Sequence, residues 1–447
     1  AAGGPLTLSR HTDTASHLNF RTGNSGGTLR GSIGANSGSI LSLYNGSSTE
    51  RIRFGTSGEI GVGGAGSIAY VFGGDTTITS GDTTDGFQIG AGDTTFKNAT
   101  STSSISFATG AFKLGNDADL KIETTNGAIS VGAIAGTAGL KATDVILDAG
   151  TSTTSIGAVA TDINDLTVSG TGVITLTGDI TTEDSTAAGD DGATAEDGAQ
   201  SYAGAVVIHG ADLTLTTGGG GASFSSTINS QASQARALTI ANTDGAVSVS
   251  GAIGTGTNGA LGALIIGTAE ADGNTGNITL SNSIGSDSAA GAASISLGNE
   301  ATGVITLAGA DYNSSGSQMF EADDFDLDGA LITFTSANSG GSKTIDFLHA
   351  AAITLDNTVQ KLSISSGGAA VTIKPAITGT TGGANKSEDI DIDGGTISVQ
   401  DITLANVVTL NGTTTFTDDT GDTTTTFTTT ADASSNVGSV TITGAAV

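Results

Sequence analysis

Short aliphatic words recur along the chain, each with a polar residue between two apolar ones and glycine on either side. GVITLTG occupies residues 172–178 and GVITLAG returns at 303–309. Ile-Thr-Leu alone begins at 174, 278, 305, 353 and 402, and Leu213-Thr214-Leu215, Val371-Thr372-Ile373 and Val440-Thr441-Ile442 are its relatives. Successive side chains of an extended chain point to opposite faces, so Ile174 and Leu176 share one face and Thr175 takes the other. Each word therefore predicts a short strand with one buried side. Glycine and Asn-Gly at the ends of the words supply the turns. The steps between copies are 104, 27, 48 and 49 residues. These are close to four, one, two and two multiples of about 24–27 residues, within the range of stacked repeats.

A longer window, DIDIDGGTISVQDITLANVVTLNG at 389–412, predicts three or four strands with Ile390, Ile392, Ile397, Val399, Ile402, Leu404, Val408 and Leu410 facing inward. Strands this short make weak hairpins, and no helical pattern lies between them to cover a conventional parallel sheet. Stacking coil upon coil solves both problems, because each backbone pairs with the coils on either side and the apolar faces meet in one core. The fold class expected is all-β: a parallel β-solenoid (β-helix) with a small amino-terminal β module. A tandem array of β-sandwiches is the alternative, since its short strands and polar turns look similar.

Composition agrees. The 447 residues include 70 Gly, 2 Pro, no Cys and no Trp, with 36% hydrophobic and 13% charged residues. Strong helix formers are scarce, while Thr, Ser and β-branched residues favour strands and turns. The absence of cysteine excludes disulfides and thiolate metal sites. No run approaches the roughly 20 apolar residues of a membrane-spanning helix. The opening AAGGPLTL suits an exported chain whose signal has been removed, which points to an extracellular or cell-surface location.

Charge divides the chain. Residues 1–58 hold Arg10, Arg21, Arg30, Arg51 and Arg53 against Asp13 and Glu50, a net of +3, so a total of −30 leaves −33 on the remainder. Residues 1–64 are expected to form a basic β-rich cap or assembly module, and 65–447 an acidic repetitive solenoid. GDDGATAEDGA at 189–199 interrupts the apolar pattern and reads as an exposed loop or a seam. So acidic a surface repels nucleic-acid phosphates and anionic headgroups and attracts divalent cations or basic partners.

Two resemblances emerge. AQSYAGAVVIHGADLTLTTGGGGASFSSTI at 199–228, ALTIANTDGAVSVSGAIG at 237–254 and GNITLSNSIG at 276–285 resemble the repeats of filamentous-haemagglutinin-like bacterial surface proteins. The resemblance covers about residues 120–447 and implies an exported right-handed parallel β-helix that works in adhesion or matrix formation. That family's secretion-targeting segment has no match in these residues. HLNFRTGNSGGTLRGSIGANSGSILSLYNGSSTERIRFGTSGEIGVGG at 17–64 resembles the β-segments of phage tail fibres, which implies an intertwined trimer, a host receptor and a virion location.

Most catalytic chemistry is excluded by spacing. Nothing matches a zincin helix, a P-loop or a Gly-x-Ser-x-Gly elbow in its strand-turn-helix setting. Asp190 and Asp191 precede His209-Gly210, an order similar to that of polygalacturonase-type hydrolases, but no basic cluster follows to bind an acidic sugar. The chain is therefore expected not to be an enzyme. The remaining constellation is acidic. SEDIDIDGG places Asp389, Asp391 and Asp393 on one strand face, and EADDFDLDG does the same for Asp324, Asp326 and Asp328, with Asp323 beside them. Carboxylates at alternate positions can share Ca²⁺, which takes six to eight oxygens with flexible geometry; an outer strand face also needs charge for solubility. The expected function is a non-catalytic structural protein that forms or decorates a surface fibre, sheath or layer. Its partners would be further copies of itself and cell-surface glycans or a receptor.

Overall fold

The computed structural model describes residues 16–21, 29–35, 39–45, 50–55, 60–62 and 68–443, leaving out from the last span 80–86, 91, 99, 110–111, 116–117, 137–142, 161, 184–197, 243–244, 256–258, 268–275, 287–289, 337–342, 351, 356–360, 380–388, 406, 417–426 and 430–438. Among these residues every regular element is a strand, and beyond residue 62 the strands pair in parallel. The fold is the expected parallel β-solenoid. Two compact units divide the chain: Ala1–Gly172 with Thr181–Glu196, and Val173–Ile180 with Asp197–Val447.

Unit 1 begins with an antiparallel meander of Ser16–Arg21, Leu29–Ala35, Ser39–Asn45, Glu50–Gly55 and Ile60–Val62. The last of these changes the geometry: its other edge pairs in parallel with Phe87–Ile89, the strand at which coiling takes over. Each coil then carries three short strands. On the first face Ile68 aligns with Thr94, Leu120, Val145 and Leu166, steps of 26, 26, 25 and 21 residues. The second face stacks Thr76–Thr79, Ile105–Thr109, Ile129–Val131 and Thr154–Ile156, and the third Phe87–Ile89, Phe112–Leu114 and Ile134–Ala135. Six aromatic rings fill the first coils. Phe96 lies 5.3 Å from Tyr70, 5.7 Å from Phe87 and 5.2 Å from Phe107, and Phe107 and Phe112 meet at 4.4 Å between centroids.

In unit 2 the first face runs through Gln200, Ala222, Val247, Ile278, Ile305, Phe325, Ile353, Ile377, Ile402 and Phe427, steps of 22, 25, 31, 27, 20, 28, 24, 25 and 25 residues. Aromatic partners in register stack: Tyr202 on Phe224 at 5.0 Å, Tyr312 on Phe334 at 5.0 Å, Phe320 on Phe347 at 4.8 Å. Another face stacks Leu213–Thr217, Leu238–Asn242, Leu261–Ile266 and Ala292–Gly298, and then branches. Ala292–Gly298 pairs with both Asp311–Ser314 and Gln318–Glu321. The two branches rejoin at Asp389–Val399, whose first half pairs with Lys361–Ser365 and second half with Ala370–Ile373.

Along most strands hydrogen-bond direction follows the alternation of faces. Inward-facing residues donate to the following coil, as Thr94 does to Asp119, Leu120 to Asp144 and Val145 to Asp165, at 2.8–2.9 Å. Outward-facing residues donate to the preceding coil, as Ser225 does to Tyr202, Ser250 to Phe224 and Ser281 to Val249. At the corners buried side chains satisfy further backbone carbonyls. Thr124 donates to the Gly127 carbonyl, Asn242 to that of Gly245 and Ser366 to that of Ala369.

The recurring word behaves as expected in part. Ile174 and Leu176 are buried, as are Ile390, Ile392, Ile397, Val399, Ile402, Val408 and Leu410; the Leu404 side chain lies outside the described residues. The copies at 278, 305, 353 and 402 stand on the first face of unit 2, separated by one, two and two coils. The copy at 174 does not join them. Ile174–Leu176 pairs with Val206–Ile208 on another face, so the 104-residue step is no multiple of the coil. Any face accepts an apolar-Thr-apolar triplet, which is why the word alone cannot assign one. The glycine before it lies in a bend, as expected, and serves a second purpose there. A Cβ on Gly172 would lie 1.7 Å from the Ser152 carbonyl oxygen one coil earlier, so close backbone approach requires glycine there.

Candidate functional site: an outward ladder of hydroxyls and the acidic strands

Side chains that point outward from the first face of unit 2 form one column. Register aligns Ser201, Ser223, Ser248, Thr279, Thr306, Asp326, Thr354, Thr378 and Thr403. Neighbouring rungs lie about 4.8 Å apart. Ser223 donates to Ser201 at 3.2 Å and Thr403 to Thr378 at 3.4 Å, so hydroxyls bond along the column. Eight of its nine members carry a hydroxyl and the ninth is an aspartate that the sequence had marked.

Both acidic triplets occupy outer strand positions. Asp324 and Asp326 alternate with buried Phe325 and Leu327 on Asp324–Leu327, and Asp323 and exposed Asp328 flank that strand. Asp389, Asp391 and Asp393 alternate with buried Ile390 and Ile392. The carboxylates run along their strands and do not stack across coils. The rungs beside Asp326 are Thr306 and Thr354, and those beside Asp391 are Ser363 and Thr409. The triplets also stand on different faces and are not brought together. Lys361 approaches Asp391 at 3.6 Å and His349 approaches Asp323 at 3.8 Å. Among the described residues no group of three or more acidic, His or Cys side chains is placed to hold a metal ion. Asp190 and Asp191 lie outside the described residues, and His209 is exposed at the end of Val206–Ile208.

Unit 1 places a basic pair on the same kind of surface. Glu123 accepts from Lys97 at 2.5 Å and from Lys121 at 2.7 Å. The Lys121 and Lys97 bonds hold its carboxyl below the usual value, against a smaller opposing effect of burial. Both lysines are more than two-fifths exposed, so the cluster contributes at most about 1 kcal/mol.

Buried tyrosines were not singled out in the sequence. Tyr202 is fully enclosed and donates to Gln200 Oε1 at 2.9 Å; Tyr312 is enclosed as well, and its oxygen accepts the Gly309 N–H at 2.9 Å. Burial pushes both phenols far above the ordinary 10.0. A raised folded value means that their contribution is complete below pH 10 and is lost as pH climbs past it, because only the unfolded phenol ionises. Stability should therefore fall by about 1.4 kcal/mol per pH unit for each tyrosine above pH 10. Urea unfolding from pH 9 to 11.5 checks this, and Tyr312→Phe should flatten the slope; an equal slope in the variant would refute the assignment.

Gln318 is a second buried group that sequence reasoning passed over. It sits where the face branches and its Nε2 donates to the carbonyls of Tyr312 and Thr335, both at 2.8 Å. An isolated Gln between a Ser-rich bend and Met-Phe gave no signal of that role. No helix of the described residues is long and apolar enough to cross a membrane. Comparison with protein families, with characterised proteins and with solved structures gave no match. The two resemblances rest on the segments quoted for them.

Proposed function

We propose that this chain is a non-catalytic extracellular structural protein, which forms or decorates a surface fibre, sheath or layer and mediates adhesion. The observation that carries the reading is the hydroxyl column from Ser201 to Thr403 over an apolar interior. Its outward positions carry groups that hydrogen-bond to water and to polar surfaces. Hydroxyls in a regular column suit repeated weak contact with glycans or a receptor surface.

Assembly with further copies would use strand edges and opposite charge. The +3 of residues 1–58 complements the −33 of the rest. Deleting residues 1–58 is expected to abolish or shorten assemblies seen by electron microscopy; assemblies of unchanged length would refute the role of that segment. The meander of Ser16–Val62, in the segment similar to phage tail fibres, favours a second reading as a receptor-binding virion fibre. That reading requires a stable trimer in sedimentation.

A further inference from the structure

Arg236 is the one Lys or Arg between Lys141 and Lys343, and the one arginine after Arg53. It lies in the loop 231–237 of unit 2, which joins Ile228–Ser230 to Leu238–Asn242. Both ends of this loop are tied to the preceding coil. The Gln231 N–H donates to the Ile208 carbonyl at 2.8 Å and the Ala237 N–H to Asp212 Oδ1 at 2.9 Å. Between them the Gln234 N–H closes on the Gln231 carbonyl at 3.0 Å and the Arg236 N–H on Ser230 Oγ at 2.8 Å. The following coil contributes the Gly262 N–H, which donates to the Arg236 carbonyl at 2.9 Å. These bonds hold Ser233 and Ala235 in the left-handed region, at φ of +64° and +47°. That region is costly for residues with a Cβ and persists only where the surroundings impose it, so the loop is built in one shape.

The guanidinium in this loop has no counter-ion. Its Nη2 donates to Gln234 Oε1 at 2.9 Å at the surface, and its Nε is enclosed without an acceptor. Among the described residues no carboxylate lies within ion-pair distance of it, and Asp212 on the coil before accepts from the Ala237 backbone instead. In a chain of net charge −30 carboxylates are plentiful, yet this arginine meets none of them. The remaining Nη N–H groups form a planar fork that matches a carboxylate from outside.

The surroundings narrow the source of that carboxylate. Ser233 and Gln234 are exposed beside Arg236, and His209 is exposed next to Ile208, where the loop is anchored. Hydroxyl, amide and imidazole groups suit the hydroxyls of a sugar. The large apolar side chains exposed among the described residues are Val71, Val173 and Leu331, none of them in this loop, so nothing in it receives the apolar side chains of a peptide. The acidic remainder of the chain repels a polyanion, which favours a ligand with a single negative charge. We infer that the loop 231–237 binds a carboxylated sugar at the end of a glycan, with Arg236 Nη1 and Nη2 on the carboxylate and Ser233 and Gln234 on neighbouring hydroxyls. This rests on the adhesive reading above and specifies its ligand.

Saturation-transfer NMR titration of the full chain with cellobiouronic acid and with cellobiose tests the site, because the two sugars differ only in one carboxylate that replaces a hydroxymethyl group. Wild type should bind the acid about tenfold more tightly, and the preference should shrink as salt rises. Arg236→Gln should abolish the preference. Arg236→Lys, which keeps the charge and loses the fork, should retain part of it. Gln234→Glu leaves the arginine in place but sets a carboxylate where Gln234 Oε1 meets Nη2, and it should abolish the preference as well. Melting temperatures equal to wild type show that the variants are folded. A preference that survives in either Arg236→Gln or Gln234→Glu overturns the site. Displacement of the acid by triglycine at lower concentration also overturns it, since a peptide carboxylate would then be the ligand. Equal binding of both sugars by wild type overturns the site and leaves the adhesive reading standing. A wild type that binds neither sugar overturns the site too, and retention on glycan-coated surfaces then decides the adhesive reading separately.

Discussion

Phe96→Ala should cost unit 1 about 3–5 kcal/mol, the usual range for removing a buried phenylalanine. The ring is 1% exposed and stands at the centre of the aromatic group, edge-on to Phe87 and Phe107 at 5.7 and 5.2 Å and stacked with Tyr70 at 5.3 Å. Its loss removes several ring contacts worth about 0.5–1.5 kcal/mol each beyond area burial. The cavity cannot collapse easily, because both neighbouring coils are held by backbone ladders on each side of Thr94–Asn98. Guanidinium unfolding followed by Tyr fluorescence and circular dichroism would measure it. Two units require that transitions be fitted separately. A loss below about 1 kcal/mol would mean that the aromatic group does not organise these coils.

Gly172→Ala should be comparably damaging, at about 3 kcal/mol, although it adds a single methyl group. The added Cβ would fall 1.7 Å from the Ser152 carbonyl oxygen and 2.4 Å from its carbon. These are backbone atoms of the preceding coil, so relief requires one coil to move against another, and the strain passes to the nearest-neighbour interface that stabilises a stacked fold. Gly210→Ala is the control. Gly210 has a φ of +87° and open space around its Cβ position, so alanine there meets only the left-handed backbone penalty of about 1–2 kcal/mol. A loss at Gly172 no larger than that at Gly210 would show that the close approach of the two coils is relieved at little cost.

Alternation made the strands legible. Ile390, Ile392, Ile397 and Val399 are buried because a period of two fixes which side of a strand meets the core. Spacing made stacking legible where coils are regular, as for Ile278, Ile305, Ile353 and Ile402. It failed for Ile174, because a triplet carries no record of which face it occupies. The hydroxyl column was hidden for the same reason. Each of ASF, VSV and ITL shows a hydroxyl between apolar residues, and QSY shows one between Gln200 and Tyr202, but their alignment depends on coil lengths that range from 20 to 31 residues on that face. The aspartate triplets were correctly placed on outer positions. Their neighbours across coils were not readable, since Thr306 and Thr354 lie 20 residues before and 28 after Asp326. Asp190 and Asp191, in the loop read as a seam, lie outside the described residues.

The coil-to-coil backbone ladder gives the molecule an order of construction. Every coil offers its successor carbonyls and N–H groups already aligned by its own predecessor, so a strand made later finds a finished surface to settle on. A chain emerging amino end first could lock each turn as it appears, with no need to wait for distant residues, because neighbouring rungs lie only 20–32 residues apart, as for Ile305 with Phe325 and Ile174 with Val206.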